Sequence, residues 1–385
     1  MFVNLKKIET LTALQNMSIF FMFLYTLLRL FDISTLTLVI NISSSEQYAM
    51  IGLIICLFSM KVLNKEDIRG MLLGCLIVFF FLISNFNGQT NFLTIILIAL
   101  GLSNRNIKIY VKAIYYATIV GISMILLLRF TGIIPDMLGL SPRGSIRYSL
   151  GFLSDRGISD NYFYFCQLFI FLKYDKLKKY WLIILLIPML ILYKVNDARA
   201  TLILLILMFL MVLIAKSNNT GKTTTILYCL TNITYITSAS LTILSSILYD
   251  NLSNFWVSLD NLSSGRLHLS QFFMIAFPPR MLGQKLPLGL DSSSLWLNYN
   301  KNYLMLDSGY MTMLIEAGIL IFIIMTFLIL FTFKKLKDSR DNISLIFWII
   351  MGLNMIQTRP LNPTSLQVLQ ISKVFSKNNI RGESR

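Results

Sequence analysis

Long apolar runs recur along almost the whole chain, and they restrict what it can fold into. A helix that crosses a bilayer needs roughly 20 mostly apolar residues. Because the runs are continuous and do not alternate with polar residues, membrane-spanning β-strands are excluded. We therefore predict an all-α polytopic membrane protein with about 11 (10–12) transmembrane helices and one large outward-facing loop. The runs that approach the required length are 13–38, 48–63, 70–87, 90–103, 107–130, 160–173, 180–195, 199–215, 224–248, 309–333 and 343–358.

The composition agrees with lipid as the main solvent. Of the 385 residues, 56% are hydrophobic and only 14% are charged, whereas an average soluble domain is about a quarter charged. We therefore predict a single integral membrane domain, residues 1–385, in place of several soluble domains. The net charge of +16 would suggest a nucleic-acid partner in a soluble protein. Here the basic residues form short clusters between apolar runs, which indicates membrane topology and no nucleic-acid partner.

Two other features indicate no metal or nucleotide cofactor. The four cysteines (Cys56, Cys75, Cys166 and Cys229) lie inside apolar runs and lack disulfide or metal-ligand spacing. The segment 216–223, KSNNTGKT, resembles a phosphate-binding loop but lacks its first glycine and follows a membrane helix instead of a buried strand. We interpret it as a connection between two spans.

The basic residues also predict an orientation, because cytoplasmic connections are enriched in Lys and Arg. With the N-terminus inside, the outward connections at 42–47 and 86–91 contain neither residue. The cytoplasmic connections are then the basic segments 61–69, 104–112, 173–179, 216–222 and 334–340.

Three segments depart from this pattern of short connections. Two long loops, at about 131–159 and 249–308, face outside and carry basic residues. Long loops are partly exempt from the charge rule, so these basic residues could have no function. The functional interpretation is that they bind an anionic ligand at the outer surface. In the C-terminal tail, 359–385, eleven spans would leave the basic residues outside. A weak twelfth span near 361–376 would bring them in, but that segment could equally be an interfacial helix.

Four segments are informative together: RYSLGFLSDRGISDNYFYF at 147–165, YKVNDARATL at 193–202, NLSSGRLHLSQFFMIAFPPRMLGQ at 261–284 and LDSGYMTMLIEAGILIF at 306–322. Their order and spacing resemble the Wzy-type polymerases of bacterial O-antigen and capsular polysaccharide, in the O-antigen polymerase/ligase superfamily. That family often shows R-x-S-L-G-F before a mid-chain span and an S-R-T-like segment opening a later span. A long outer loop with S-G-R and P-x-x-x-x-G follows, and then an aromatic-rich segment leads into a glycine-containing span.

The chain departs from this family pattern at two places. The family commonly has H-P-N after S-L-G-F, whereas this chain has Leu153-Ser154-Asp155 and then Asn161. The serine of S-R-T is Ala198 here, so only Arg199 and Thr201 keep that pattern. Any role of the family histidine is therefore absent or moved.

The resemblance implies a multi-pass enzyme of the bacterial cytoplasmic (inner) membrane. Such an enzyme joins undecaprenyl-pyrophosphate-linked oligosaccharide units at the outer face and needs neither metal nor nucleotide sugar as cofactor. Its partners would be the lipid-linked substrate, membrane lipid, a flippase and a chain-length regulator. A pyrophosphate leaving group needs its charge neutralised, which the planar guanidinium of arginine does well. The arginines predicted for this role are Arg266, as a catalytic residue, and Arg147, Arg199, Arg143, Arg156 and Arg280, as substrate-binding residues.

A base and a sugar-binding surface complete the predicted site. His268 is the only histidine in the chain and lies two positions after Arg266; histidine titrates near neutral pH and suits a general base. A lone histidine is more often a surface or packing residue, so that alternative stays open. Glu316, early in a span, is the second catalytic candidate, since an ionisable group there marks function unless it is interfacial. Asp260 and Asp307 are rival bases, and Asp307 is also a substrate-binding candidate, as are the aromatic residues Trp296 and Tyr299, which could instead be interface anchors.

Two other functions use similar parts. A ligase that moves finished polysaccharide to a lipid core is the nearest enzymatic alternative. A flippase or transporter is the alternative from another class, and transporters tend to show repeated halves with binding groups at midplane. The sequence shows no internal repeat and concentrates its charges in the outer loops, which favours the enzyme.

Overall fold

The computed structural model describes residues 2–63, 92–140, 146–218, 220–263, 265–286, 306–358 and 365–376, and these are almost entirely helical. Two short strands, β1 (Leu138–Leu140) and β2 (Ile146–Tyr148), form an antiparallel hairpin. The helices are α1 (Phe2–Asp32), α2 (Ser43–Leu63), α3 (Phe92–Leu102), α4 (Ile107–Phe130), α5 (Gly157–Lys173), α6 (Lys179–Asn196), α7 (Arg199–Ser217), α8 (Gly221–Leu248), α9 (Asn254–Leu262), α10 (Arg266–Ala276), α11 (Gly309–Met311), α12 (Ile319–Asp338), α13 (Asn342–Asn354) and α14 (Leu366–Ile371).

The chain is a helical, multi-pass membrane protein. Within the described ranges, seven helices are long and apolar enough to cross a bilayer: α1 from Ile8 onward, α2, α4, α6, α7, α8 and α12. Large apolar side chains on them point outward, with Leu127, Ile183 and Phe327 each more than 60% exposed. Lipid is the solvent that such surfaces suit. The prediction of an all-α polytopic protein is therefore confirmed.

The total of about eleven spans stays a prediction. The predicted span at 70–87 lies outside the described residues, and α3 and α13 are apolar but short. Two compact units divide the described chain, one containing 97–205 with the N-terminal helices, the other containing 206–286 and 306–376. That division does not test whether the chain forms a single membrane domain, so this too stays a prediction.

In the first unit, α1 packs against α2 and α4, and α5 packs against α4 and α6. The described part of the predicted outer loop 131–159 contains the paired strands β1 and β2, which lie where α1 and α4 end. The amide of Leu153 donates to the carbonyl of Ile33, and the amide of Thr35 donates to the carbonyl of Gly151. The hairpin is thereby fixed to the end of the helices.

The S-L-G-F sequence, Ser149 to Phe152, forms the turn that holds this hairpin. Ser149 donates to the Asp136 carboxylate at 3.0 Å and accepts from the amide of Met137 at 2.9 Å. Leu150 and Gly151 both have positive φ, +53° and +87°, a conformation that glycine adopts without strain. Phe152 is fully buried in a core with Leu30, Ile125, Ile134 and Ile158. The contacts of these residues therefore stabilise the hairpin and its attachment to the helices.

In the second unit, α8 packs against α10, α12 and α13. The predicted outer loop 249–308 contains two helices, α9 and α10, that apolar run length did not predict because both are short. Gln271 of α10 donates to the carbonyl of Tyr249 at 2.5 Å, and Phe273 is fully buried with Met311 and Ile315. Helix α10 is therefore part of the core of this unit.

The predicted continuous span 309–333 is wrong, because the helix breaks at Gly318. Helix α11 runs into a π-helical turn, Thr312–Ala317, and α12 starts after Gly318, whose φ is +99°. The amides of Ile319 and Leu320 at the start of α12 donate to the carbonyls of Arg280 and Met281. These carbonyls satisfy donors that a helix N-terminus leaves open, which is why the break is stable.

In the described part of the C-terminal tail, helix α14 has six residues, all of them buried, and it packs against α12 and α13. Whether the tail forms a twelfth span or an interfacial helix stays a prediction, because residues 359–364 lie outside the described residues. Gln370 donates to Ser344 at 2.8 Å, and the Lys373 ammonium pairs with Asp341 at 2.8 Å. Lys373 therefore lies at the α12–α13 connection, the basic segment 334–340 that was predicted to be cytoplasmic.

Candidate functional site: two arginine–carboxylate clusters

The first cluster consists of Arg147, Asp155, Asp197 and Arg199, and it lies in the first unit where three helices end and two begin. Arg147 projects from β2, opposite Gly139 of β1. Asp197 ends α6 and Arg199 opens α7. The segments 147–165 and 193–202, which carry part of the family resemblance, therefore meet in space.

Ion pairs connect all four side chains of the first cluster. The Arg147 guanidinium donates to Asp155 at 3.0 Å and to Asp197 at 3.2 Å, through different terminal nitrogens. The Arg199 Nε donates to the other oxygen of Asp197 at 2.7 Å. Arg147 is buried, whereas the Arg199 side chain is 40% exposed. Of the two arginines, Arg199 is therefore the one that an anion can approach.

Two further polar pairs surround this cluster. Thr201 of α7 donates to Asp160 of α5 at 2.8 Å, and Asn196 of α6 donates to Ser159 of α5 at 2.7 Å. Both pairs fix α5 against the α6–α7 junction at the level of the arginines. Arg156, directly before α5, is half-buried, and Arg143 lies outside the described residues.

The second cluster consists of Arg266, Asp307, Asp260, His268 and Tyr249, all in the second unit. Arg266 opens α10, where its Nε lies 3.4 Å from the Asp307 carboxylate and its Nη1 donates to the carbonyl of Ser263 at 3.1 Å. Next to Asp307, the amide of Gly309 donates to the carbonyl of Met355 at 2.8 Å. The Arg266–Asp307 ion pair brings the segments 261–284 and 306–322 together.

Asp260 caps the helix that carries Arg266 and His268. Its Oδ1 accepts from the amides of Leu267 and His268 at 2.9 and 3.2 Å, two donors that a helix N-terminus leaves open. Burial, together with the Asp260 carboxylate beside it, raises the pKa of the Tyr249 hydroxyl. Asp260 is therefore engaged in holding the site, which weakens its candidacy as a base.

His268 is exposed, and its ring stands edge-on to Tyr249 with the ring centroids 6.0 Å apart. Among the described residues, neither imidazole nitrogen has a hydrogen-bond partner. The ring is therefore accessible to a substrate hydroxyl, but the described chain holds it by packing alone.

Glu316 and Arg280 both lie at the helix break, on segments that exchange backbone hydrogen bonds with their neighbours. Glu316 is buried in the π-helical turn before Gly318, and its backbone carbonyl accepts from the amide of Gln284 at 3.1 Å. The Arg280 side chain is exposed, while its carbonyl caps α12. A side chain at Gly283 or Gly318 would collide with the opposite backbone. The P-x-x-x-x-G segment and the glycine-containing span therefore interlock through these two glycines.

Two predicted aromatic contacts, Trp296 and Tyr299, lie outside the described residues. No group of three His, Cys, Asp or Glu side chains suited to a metal ion occurs in the part of the chain that the structure describes.

The sequence interpretation missed the carboxylates of the first cluster. Asp155 stands at the asparagine position of the family's H-P-N, and Asp197 lies two residues before Arg199. Both lie inside the segments already singled out, so a search for carboxylates close to the predicted arginines would have found them.

Comparison with protein-family models, with curated proteins and with solved structures finds no match to this chain.

Proposed function

We propose that this protein polymerises undecaprenyl-pyrophosphate-linked oligosaccharide units into a surface polysaccharide at the outer face of a bacterial cytoplasmic membrane. In this reaction an acceptor hydroxyl of one unit attacks the anomeric carbon of the chain on another. The bond from that carbon to the pyrophosphate oxygen breaks, and the lipid pyrophosphate leaves with the electron pair. The hydroxyl proton passes to a base.

One observation supports this proposal above the others: the four segments that resemble the family combine in pairs to form two arginine–carboxylate clusters. The first pair shares Asp197, and the second shares the Arg266–Asp307 ion pair. Each cluster lies at helix ends, beside surfaces that face lipid. A lipid-linked anion can therefore keep its tail among the spans while its head group meets arginine.

The clusters also refine the roles of the arginines. Arg199 in the first cluster and Arg266 in the second are each proposed as a donor to a pyrophosphate, while Arg147 holds the first cluster together. His268 is the proposed base, and Glu316, buried at the helix break, is the alternative. Eleven spans with the N-terminus inside would put both clusters outside.

The function is tested with purified protein in nanodiscs supplied with lipid-linked repeat units. Long polysaccharide and released lipid pyrophosphate are the expected products. Transfer of preformed polysaccharide to a lipid core, without extension, would indicate a ligase. Movement of the units across a vesicle membrane without new glycosidic bonds would indicate a flippase and would overturn the proposal.

The orientation is tested at the two ends of α8. In a variant without native cysteines, we expect an impermeant thiol reagent to label Cys at Asn251 in intact cells and not at Thr220, although both positions are exposed. Labelling of Thr220→Cys alone would contradict the orientation.

The base is tested by substitution of His268. We expect His268→Gln to lower the rate of transfer on the order of 100-fold, the effect of a lost general base. A Gln variant at full rate would exclude His268, and Glu316→Gln would then be the variant to measure.

A further inference from the structure

Asp197 lies in the left-handed region of backbone conformation, directly after the last residue of α6, with φ +53° and ψ 34°. Its amide donates to the carbonyl of Tyr193 at 2.9 Å. Glycine most often ends a helix in this way, and asparagine and aspartate tolerate the conformation better than other side chains do. The backbone therefore accepts aspartate here, and the role of the residue follows from the contacts of its carboxylate.

The Asp197 carboxylate divides its two oxygens between two arginines. Oδ1 accepts from Arg199 Nε at 2.7 Å, and Oδ2 accepts from Arg147 Nη2 at 3.2 Å. Asparagine would fit the same backbone but would turn an N–H toward one of the two guanidinium groups. Only a carboxylate accepts from both.

The two arginines differ in what remains available. Arg147 is buried and also pairs with Asp155. Among the described residues, Arg199 bonds to Asp197 through Nε, and its two terminal nitrogens have no protein partner. The side chain is 40% exposed, so these nitrogens are accessible to a ligand. A guanidinium fixed at Nε presents its terminal N–H groups as a fork that matches phosphate oxygens.

We propose that Asp197 is a positioning residue that orients Arg199 to receive a phosphate of a lipid pyrophosphate, with Arg147 as its buried support. This inference rests on the proposed function for the identity of the ligand. Asp197 and Asp155 balance the charges of Arg147 and Arg199, so the cluster supplies orientation instead of net positive charge.

If Asp197 orients Arg199, the Asp197→Asn substitution should change the affinity for an anion in the opposite direction from the change that net charge alone predicts. The substitution makes the cluster more positive by one charge, so net charge alone would strengthen anion binding. Asparagine accepts from only one of the two arginines and without a charge, so Arg199 is held less firmly and orientation predicts weaker binding. We measure binding of farnesyl pyrophosphate and farnesyl monophosphate to the full-length protein in nanodiscs and expect wild type to prefer the pyrophosphate. We expect Asp197→Asn to bind the pyrophosphate about tenfold or more weakly, the effect of a lost charge-assisted hydrogen bond.

Three variants separate positioning from folding. Asp197→Gly suits the left-handed backbone and should show the same loss of binding when it is measured well below the thermal midpoint of that variant. Asp175→Asn, at an exposed aspartate, should bind as wild type does. In an Arg199→Gln background, Asp197→Asn should cause no further loss, because the two residues act as one unit.

Unchanged or tighter pyrophosphate binding by Asp197→Asn would overturn the inference, as would additive losses in the double variant or a wild type without preference for pyrophosphate. Failure of the proposed function is a separate result: the protein would make no polymer while its pyrophosphate preference, and the loss of that preference in Asp197→Asn, persisted.

Discussion

The two clusters pair arginine with aspartate in different ways. In the first, Arg147 and Arg199 share Asp197, and Arg147 is buried between two carboxylates that come from fixed elements. In the second, Arg266 pairs with Asp307 at 3.4 Å. Its helix, α10, has 11 residues, about three turns, inside a long connection, and Asp260 accepts from two amides of its first turn.

The difference indicates that the first cluster has one structural arginine, Arg147, and one binding arginine, Arg199. In the second cluster Arg266 has both roles. An ion pair buried between fixed elements is costly to break, because each partner is left desolvated. A longer pair at the start of a short helix is easier to exchange for a ligand. Substitutions should therefore affect stability mainly in the first cluster and activity mainly in the second.

The largest effect on stability is expected for Arg147→Met. The substitution leaves Asp155 and Asp197 without their shared partner, and we expect a loss of about 3 kcal/mol, the low end for a broken buried pair because both carboxylates are partly exposed. Thermal unfolding in detergent measures it. Arg156→Met, a half-buried arginine outside the ion pairs, is the control. Equal midpoints for the two variants would remove the distinction between the clusters.

Arg266→Lys is expected to lower activity much more than stability, the opposite of Arg147→Met. Lysine keeps the charge but not the planar fork, so we expect transfer to fall on the order of 100-fold, with stability lowered by no more than about 1 kcal/mol. Polymerisation of purified lipid-linked units gives the rate. Near-normal activity at unchanged protein abundance would exclude a bidentate role for Arg266.

Substitutions of Asp260 can distinguish its role in holding the start of α10 from a role as the catalytic base. Asn retains the Oδ1 that accepts from Leu267 and His268, so Asp260→Asn should keep both stability and activity. Asp260→Ala should lower stability by about 1 kcal/mol, as the loss of a helix N-cap does. An Asn variant that folds normally but is inactive would instead assign Asp260 to proton transfer.

The smallest effect on stability is expected for the Asp341–Lys373 ion pair, which lies outside both clusters and serves as a reference for them. Burial alone would raise the pKa of Asp341, but the Lys373 ammonium and hydrogen bonds from Ser344 outweigh it and hold that pKa below its ordinary value. The stability from a lowered carboxyl pKa is present above about pH 4 and is lost as the pH falls through the folded-state value.

We therefore expect Lys373→Ala to unfold more easily than wild type by about 1 kcal/mol near neutral pH, and the difference to close below about pH 4. Lys334→Ala, at an exposed lysine of the same connection, is the control. A difference that persists unchanged in acid would mean that Asp341 is not the partner that matters.

The sequence by itself determined that this is a membrane protein and where most of its helices lie. Run length and charge suffice for that, because a bilayer demands apolar helices of a set minimum length whatever they pack against. The predicted run 107–130 coincides with α4, and 180–195 and 199–215 differ from α6 and α7 by no more than two residues at either end. The arginines could also be singled out as candidates, because positive charge in outward loops stands out against the topology rule.

Only the tertiary structure decided which of these charges meet. Asp197 and Arg147 are fifty residues apart, and their pairing depends on the hairpin packing against the α6–α7 junction, which no local pattern encodes. The break at Gly318 depends on carbonyls of Arg280 and Met281 from a distant segment, and the position of the described tail depends on Asp341 meeting Lys373. Local apolarity fixes helices because lipid acts on each residue separately, whereas ion pairs and helix breaks form only where the packed chain supplies a partner.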